Sequence, residues 1–265
     1  MTNKLIILGS GAAPGVPSLA SGWGNCNPNN PKNRRRRTSV YVEIGDAKFL
    51  IDTSPDIHWQ LIDNDIKHVD AVLYTHSHAD HLHGIDDLRD LNRVSGKPID
   101  VYGNVDTIAT IKSRFPYLVG DKDNPSNPLY KPCLMFNTFT CGEAFYVKGV
   151  KIVPFALFGH PVTTNGYIFN DNELVYVADC LEIENKSLRL IEKNPKLMVM
   201  PLTILKSMWE KPYHMGIEKL LEYVDIIKPQ KAIVNHMASE CDYDNVNSLT
   251  PENVFPAFDN MVVEF

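Results

Sequence analysis

The stretch Val69-Asp70-Ala71-Val72-Leu73-Tyr74-Thr75-His76-Ser77-His78-Ala79-Asp80-His81 decides how this chain is read. Its first seven residues form an apolar and β-branched run, the mark of a buried strand. Three imidazoles and one carboxylate then fall within six positions of the strand's carboxyl end. In extended chain, residues i and i+2 point the same way, so His76 and His78 can grip one ion together. Asp80 and His81 come where the chain must turn. They face a different direction and suit a second ion close by. Imidazole and carboxylate are ligands for zinc and neighbouring first-row metals. The rival reading, a polar turn that is histidine-rich by chance, is the weaker one. A lone H-x-H carries little information, but H-x-H-x-D-H after a buried strand carries much.

Three other places share the same form, a strand with a metal-ligand side chain at its tip. His160 follows Phe158-Gly159, after strands expected near 144–147 and 151–155. Asp179 ends the second strand of a hairpin, 167–169 and 174–178. His236 ends a strand at 231–235. Strand ends on one rim of a sheet converge in space even when far apart in sequence. Together these places supply five histidines and two aspartates, enough for two ions with an open position. Asp179, a carboxylate, can bridge both.

The remaining chain reads as follows. A first strand, 4–8, ends at Gly9-Ser10-Gly11, which lacks the third glycine and helix of a dinucleotide fingerprint. Residues 12–32 are a long Gly/Pro/Asn/Ser loop. Arg34-Arg35-Arg36-Arg37 could hold phosphate, but four residues are few for a patch, and a structural ion-pair role is favoured. A hairpin, 38–44 and 47–51, turns at Gly45-Asp46 and leads to Asp52-Thr53-Ser54-Pro55. A short helix starts at Asp56, with His58 packed or solvated rather than ligating. A helix is expected over 82–94; its Asp86, Asp87 and Arg89 cap it or support the ligands. A strand at 99–102 and a helix at 107–115 follow. Residues 120–132 form a polar loop, a candidate cover for the site. A strand at 196–200 and an amphipathic helix at 216–228, closed by Pro229, precede the last internal strand.

The 265 residues are 44% hydrophobic and 22% charged, ordinary globular composition with ample material for a core. No repeat or linker interrupts them, so residues 1–265 read as one domain. The formal net charge of −6 argues against a general nucleic-acid binder. The amino terminus lacks a signal-peptide run, and no stretch has the length of a membrane span. Five scattered cysteines with no C-x-x-C fit a reducing cytoplasm.

This pattern resembles the metallo-β-lactamase-fold hydrolases over nearly the whole chain. The resemblance implies an α+β protein, a four-layer α/β/β/α sandwich with a dinuclear site at the edge of its two sheets. It implies one ion on His76, His78 and His160, another on Asp80, His81 and His236, and Asp179 between them. Asp52 matches the first acidic motif, behind the ligands. Finer resemblance lies in Leu8-Gly9-Ser10-Gly11, Asn33 with the arginines, Ile51-Asp52-Thr53-Ser54-Pro55-Asp56, and Ala79-Asp80-His81 with Gly84-Ile85-Asp86-Asp87-Leu88-Arg89. These look like the phosphoribosyl cyclic phosphate phosphodiesterases (PhnP type), which act in phosphonate breakdown. That branch carries a histidine ahead of a helix before the last ligand, a place His214 occupies. The helix start at Gly216 would add N–H groups suited to an anion. Members with a structural zinc carry C-x-C-x-x-C in the first loop and a later histidine. Those positions here are Ser21, Trp23, Cys26 and Ser239, so no third, structural metal is expected.

The expected activity is that of a dinuclear phosphodiesterase with two divalent ions, zinc or manganese. It would hydrolyse a small cyclic or nucleotide-like phosphodiester with a metal-bridging hydroxide. His214 would contact phosphate and protonate the leaving oxygen, and Asp80 would orient the hydroxide besides ligating. The expected partner is a small phosphorylated substrate, and a homodimer is compatible with this reading. Rival readings are a thioesterase of the glyoxalase II kind, a transfer-RNA 3′ endonuclease, and a non-catalytic metal-binding module. The endonuclease usually has a basic Gly/Pro-rich arm, which is missing here.

Overall fold

In the computed structural model, which describes residues 2–118, 131–206 and 213–265, apolar alternation along the strands is read out as two packed sheets. The first part of the chain forms β1 (Lys4–Gly9), β2 (Ser39–Ile44), β3 (Ala47–Ile51), α1 (Ile57–Asp63) and β4 (Ala71–Leu73). It continues with α2 (Ala79–Leu82), α3 (Leu88–Ser95), β5 (Ile99–Gly103), α4 (Val105–Arg114) and β6 (Leu134–Thr138). Next come β7 (Phe145–Val147), β8 (Val150–Phe158), β9 (Asn165–Phe169), β10 (Leu174–Tyr176), β11 (Glu182–Ile183) and α5 (Asn185–Leu188). The chain closes with β12 (Leu197–Pro201), α6 (Ile217–Ile227), β13 (Lys231–Asn235), α7 (Tyr243–Leu249), β14 (Val254–Pro256) and β15 (Met261–Glu264). One sheet runs β15-β1-β2-β3-β4-β5-β6. The other runs β11-β8-β9-β10-β12-β13-β14, with β7 beside β8.

The period-2 rule sorts the first sheet's side chains onto two faces. Leu5, Ile7, Val40, Val42, Phe49, Ile51 and Leu73 join the cluster that contains the second sheet. Their neighbours Ile6, Leu8, Tyr41, Leu50 and Val72 join a separate cluster with Ile57 and Leu61 of α1, Leu88 and Leu91 of α3, and Ile108 and Ile111 of α4. Helix α6 packs Leu220, Tyr223, Val224 and Ile227 into the inter-sheet cluster's far side. The layers are therefore helix, sheet, sheet, helix, the α/β/β/α sandwich expected from the sequence.

Differences from the sequence reading are local. The helix expected over 82–94 is broken: α2 begins at Ala79, a 3₁₀ turn covers Ile85–Asp87, and α3 starts at Leu88. The break sits at Gly84, where a Cβ would lie 2.1 Å from the Ser54 carbonyl oxygen, so the chain passes too close for any other residue. Asn104 caps α4 by accepting from the Thr107 N–H, which starts that helix two residues before the expected place. Strand β6, the helix α7 and the edge strand β15 carry no clear periodicity and were not expected. Most of the polar loop expected at 120–132 lies outside the described residues.

The four arginines make structural contacts, Arg34 lying over the Trp23 ring at 5.3 Å. Arg36 pairs with Asp63 at 2.6 Å and Arg37 with Asp56 at 2.7 Å. Arg35 is 3% exposed, and its guanidinium donates to Asn33 Oδ1 and to the carbonyl oxygens of Ala238 and Cys241. It lies beside the Cys26 thiol, which reaches the Ser239 carbonyl. The first loop and the segment after His236 are thus tied together by a buried cation. Arg35→Met is expected to cost about 2–4 kcal/mol, because several buried acceptors lose their donor at once. Urea denaturation of the two proteins measures it.

Candidate metal centre

The site lies at the carboxyl ends of strands that point the same way. β3 pairs parallel with β4, and β10, β12 and β13 pair parallel in turn. The chain leaves β3 at Asp52, β4 toward His76, β8 toward His160, β10 toward Asp179 and β13 at His236. These exits meet along one edge of the sandwich. Asp179 stands three residues past its strand, not directly at its end as expected, because β10 stops at Tyr176.

Three groups of side chains could hold a cation, each with ligand atoms within 4.8 Å of one another. They are His76, His78 and His160; Asp80, His81, Asp179 and His236; and His160, Asp179 and His214. Every residue expected at the site is therefore at one place. Asp80 and His81 sit on the short helix α2 rather than in a free turn, with His78 at its N-cap position. Successive helix positions point about 100° apart, so the two side chains separate without a loop.

The donor spacing matches a tetrahedral ion. His236 Nε2 lies 3.1 Å from Asp179 Oδ2 and 3.4 Å from Asp80 Oδ2. His81 Nε2 lies 3.3 Å from Asp179 Oδ2 and 3.2 Å from Asp80 Oδ2. Ligands about 2.0–2.1 Å from zinc in a tetrahedron stand about 3.3 Å apart. In the neighbouring group His160 Nε2 and His78 Nδ1 face each other at 2.9 Å. Asp179 Oδ2 is 3.9 Å from His76 Nε2, so one carboxylate reaches toward both groups. The buried Nε2 atoms of His76 and His81 and the Nδ1 atoms of His160 and His214 have no hydrogen-bond partner. Buried polar atoms are rarely left so. The donor set and these orphaned nitrogens fit divalent cations.

The rings are held from behind. Asp52 accepts from the Thr75 N–H at 2.8 Å and from the Thr75 hydroxyl at 2.7 Å. Having given its proton to Asp52, the Thr75 hydroxyl accepts from His76 Nδ1–H at 2.9 Å. Asp52 Oδ2 also accepts from His81 Nδ1–H at 2.7 Å. Both histidines are thereby fixed with Nε2 facing the centre. Thr203 does the same for His236 Nδ1 at 2.9 Å, and the Arg114 guanidinium holds the Ser77 carbonyl between His76 and His78. Sequence reasoning found Asp52 but missed Thr75, Thr203 and Arg114. Thr75 was adjacent to the motif and could have been found; Thr203 and Arg114 carried no signal. Asp52 (φ +62°) and His236 (φ +56°) occupy the left-handed region, where Asn, Asp and His are the commonest non-glycine residues. Asp52→Asn keeps that backbone and is expected to weaken metal affinity roughly 10–100-fold while the protein stays folded. Competition with a chromophoric chelator measures it.

Charge in the centre is strongly coupled. Burial pushes Asp179 up, but the His236 and His81 imidazoles outweigh it and hold the carboxyl well below the usual range. Burial likewise lowers His236, but Asp179 and Asp80 lift it to about 9. His81 is raised in the same way by Asp179, Asp80 and Asp52. Protons on these rings thus balance the carboxylates, and cation binding releases them. His76, with burial and the His81 charge acting together, is held neutral.

His214 stands beside the cluster, its ring centroid 5.2 Å from that of His160 and 5.9 Å from that of His236. It lines a cavity of about 950 Å³ that also takes in His78, Asp80, His160, Asp179 and His236. The start of α6 does not line this cavity among the described residues, and the Ile217 N–H is bonded to the Leu205 carbonyl. Of the two, it is His214 that lines the cavity among the described residues. Of the loop positions Ser21, Trp23 and Cys26, it is Cys26 that meets Ser239, whose carbonyl accepts from the Asn25 N–H and the Cys26 thiol. His58 lies half-exposed, 3.4 Å from Asp87.

A sandwich with histidines and aspartates at this edge is the metallo-β-lactamase fold, and the chain belongs to the beta-lactamase superfamily, whose domain model matches residues 47–237. A solved structure described as a new diphosphatase from the PhnP family is 26% identical, with a TM-score of 0.87 over 100% of this chain and 98% of that one. The expected resemblance to the PhnP-type branch holds. Zinc-bound PqqB from Methylobacterium extorquens superposes with a TM-score of 0.77 at 20% identity, over 99% of this chain and all of that one. An octanoyltransferase of Porphyromonas gingivalis is 26% identical over 97% of this chain and 51% of its own length. The chain spans about half or less of the length of the curated relatives it matches. Among the described residues no helix is long and apolar enough to cross a membrane. All five cysteines are free thiols.

Proposed function

We propose that this chain is a dinuclear metal-dependent phosphodiesterase acting on a small phosphodiester. The observation that carries the reading is Asp179 Oδ2, which stands against His236 and His81 of one group and 3.9 Å from His76 of the other, with His214 beside it at the cavity. The 26% identical diphosphatase of the PhnP family supports the same chemistry. His76, His78 and His160 would hold one ion and Asp80, His81 and His236 the other, with Asp179 between. When bound, a pair of divalent cations supplies Lewis acidity and lowers the pKa of water.

The chain's own residues do the rest. Asp52, Thr75 and Thr203 keep three imidazoles in register, so little reorganisation accompanies the reaction. Asp80, 8% exposed at the cavity, offers a carboxylate that orients the attacking water. His214 donates a proton to the leaving oxygen. Burial, and then the neighbouring His236, hold His214 down to about 4 in the free protein. The negative charge of a bound diester opposes this and favours the protonated ring that a general acid needs.

The test is a panel assayed on metal-reconstituted protein: small phosphodiesters, a thioester and a precursor transfer RNA. Turnover of the small diesters well above the other two is expected. Efficient thioester or transfer-RNA cleavage with no diester turnover would overturn the reading.

A further inference from the structure

The cavity in front of the histidines is larger and less charged than a small sugar phosphate requires. Beyond the cluster, most of its described wall is apolar, with Ala12, Ala13, Pro14, Pro161, Ile204 and Leu205; Asn25, Thr203 and Tyr213 add polar groups, and the charges are a single cation, Lys206, and a single carboxylate, Glu240. These two charges cancel. The four arginines lie elsewhere, around a different cavity of about 540 Å³: Arg37 and Arg36 are engaged by Asp56 and Asp63, Arg35 by backbone carbonyls, and Arg34 lies over the Trp23 ring. Among the described residues no arginine lines this cavity, and the nearby Arg114 is bonded to the Ser77 carbonyl behind the histidines. Apolar surface left open beside a polar centre is instead the usual mark of a site that takes an apolar group.

We infer that the substrate is an amphipathic phosphodiester: one phosphate ester reacts at the histidine cluster, and one substituent is an uncharged alkyl chain lying on the Ala12–Pro14 and Ile204–Leu205 wall. This deepens the phosphodiesterase reading and rests on it for the reaction. Water adds to phosphorus, the bond to the leaving oxygen breaks, and that oxygen takes a proton. The alkyl group leaves as its phosphate monoester or as the alcohol, according to which ester oxygen faces His214. The wall is mostly aliphatic, offering methyl and ring methylene groups beside one aromatic residue, Tyr213, and an alkyl chain matches that surface.

Two measurements test it. The first is kcat/KM for methyl, butyl and octyl 4-nitrophenyl phosphates on the metal-reconstituted protein, all below their micelle-forming concentrations. Burial of a methylene is worth roughly two- to fourfold, so butyl should exceed methyl by roughly tenfold or more, and octyl should exceed butyl. A flat or falling series with measurable methyl turnover overturns the inference and leaves the phosphodiesterase reading standing. The second is calorimetric binding of methyl- and octylphosphonate, which needs no turnover. Tighter binding of octylphosphonate, lost in Ala13→Glu at an exposed loop position and in Leu205→Ser, supports the wall even if no diester is cleaved. Equal binding of the two phosphonates, or a preference that both variants retain, sinks it.

Discussion

Asp179→Ala is expected to lose metal and activity together. Its carboxylate stands 3.1 Å from His236 Nε2 and 3.3 Å from His81 Nε2, and reaches within 3.9 Å of His76 Nε2. Its carboxylate thus lies against donors of both groups. Removing it leaves the imidazoles of the cluster without the charge that organises them, in a setting that is 3% exposed. The affinity loss should exceed the roughly 10–100-fold typical of an outer hydrogen-bond partner. Elemental analysis of protein purified without chelator should fall from about two equivalents, the number the proposed centre holds, to below one. Diester turnover should drop to background. A variant that kept both equivalents would show that Asp179 is not shared between them.

His214→Ala should separate the two functions of the site. Its ring lies against His160 and His236, but Asp80, His81, Asp179 and His236 form a complete donor group without it. Metal content and thermal stability should therefore stay near the parent's. The rate should fall by roughly 10²–10⁴, the usual worth of a positioned general acid. The deficit should shrink for a nitrophenyl ester, whose leaving oxygen needs no proton, and should be full for an alkyl leaving group. His236→Ala should instead lose metal and slow all substrates alike. Because His214 also lies within ligand reach of His160 and Asp179, metal loss in His214→Ala would assign it to ligation. Unchanged turnover of the alkyl leaving group by metal-replete protein would remove it from the mechanism.

The sequence by itself determined the residue types of the centre and the strands that deliver them. A buried β-branched run followed by H-x-H-x-D-H leaves few structures open, because strand periodicity and ligand chemistry constrain the same six residues. The same logic at His160 and His236 needed only a strand and its end. Apolar runs at 4–8 and 69–75 and alternation at 38–44 and 47–51 also announced strands β1 to β4, whose side chains divide between the inter-sheet core and the helices α1, α3 and α4.

Tertiary structure decided what depends on approach between distant segments. The break at Gly84 comes from the Ser54 backbone pressing on it, a contact 30 residues away that no local propensity encodes. Thr203 and Arg114 became supports of the centre only when their elements docked beside His236 and Ser77. The sequence favoured a structural ion-pair role for the four arginines without setting Arg35 apart; burial against Cys26, Ala238 and Cys241 made it a cross-brace. The apolar wall facing the histidines is likewise assembled from 12–14, 161 and 204–205, three segments whose proximity is a product of the two sheets closing on one another. Local pattern specifies which side chain a strand presents; only packing specifies what it is presented to.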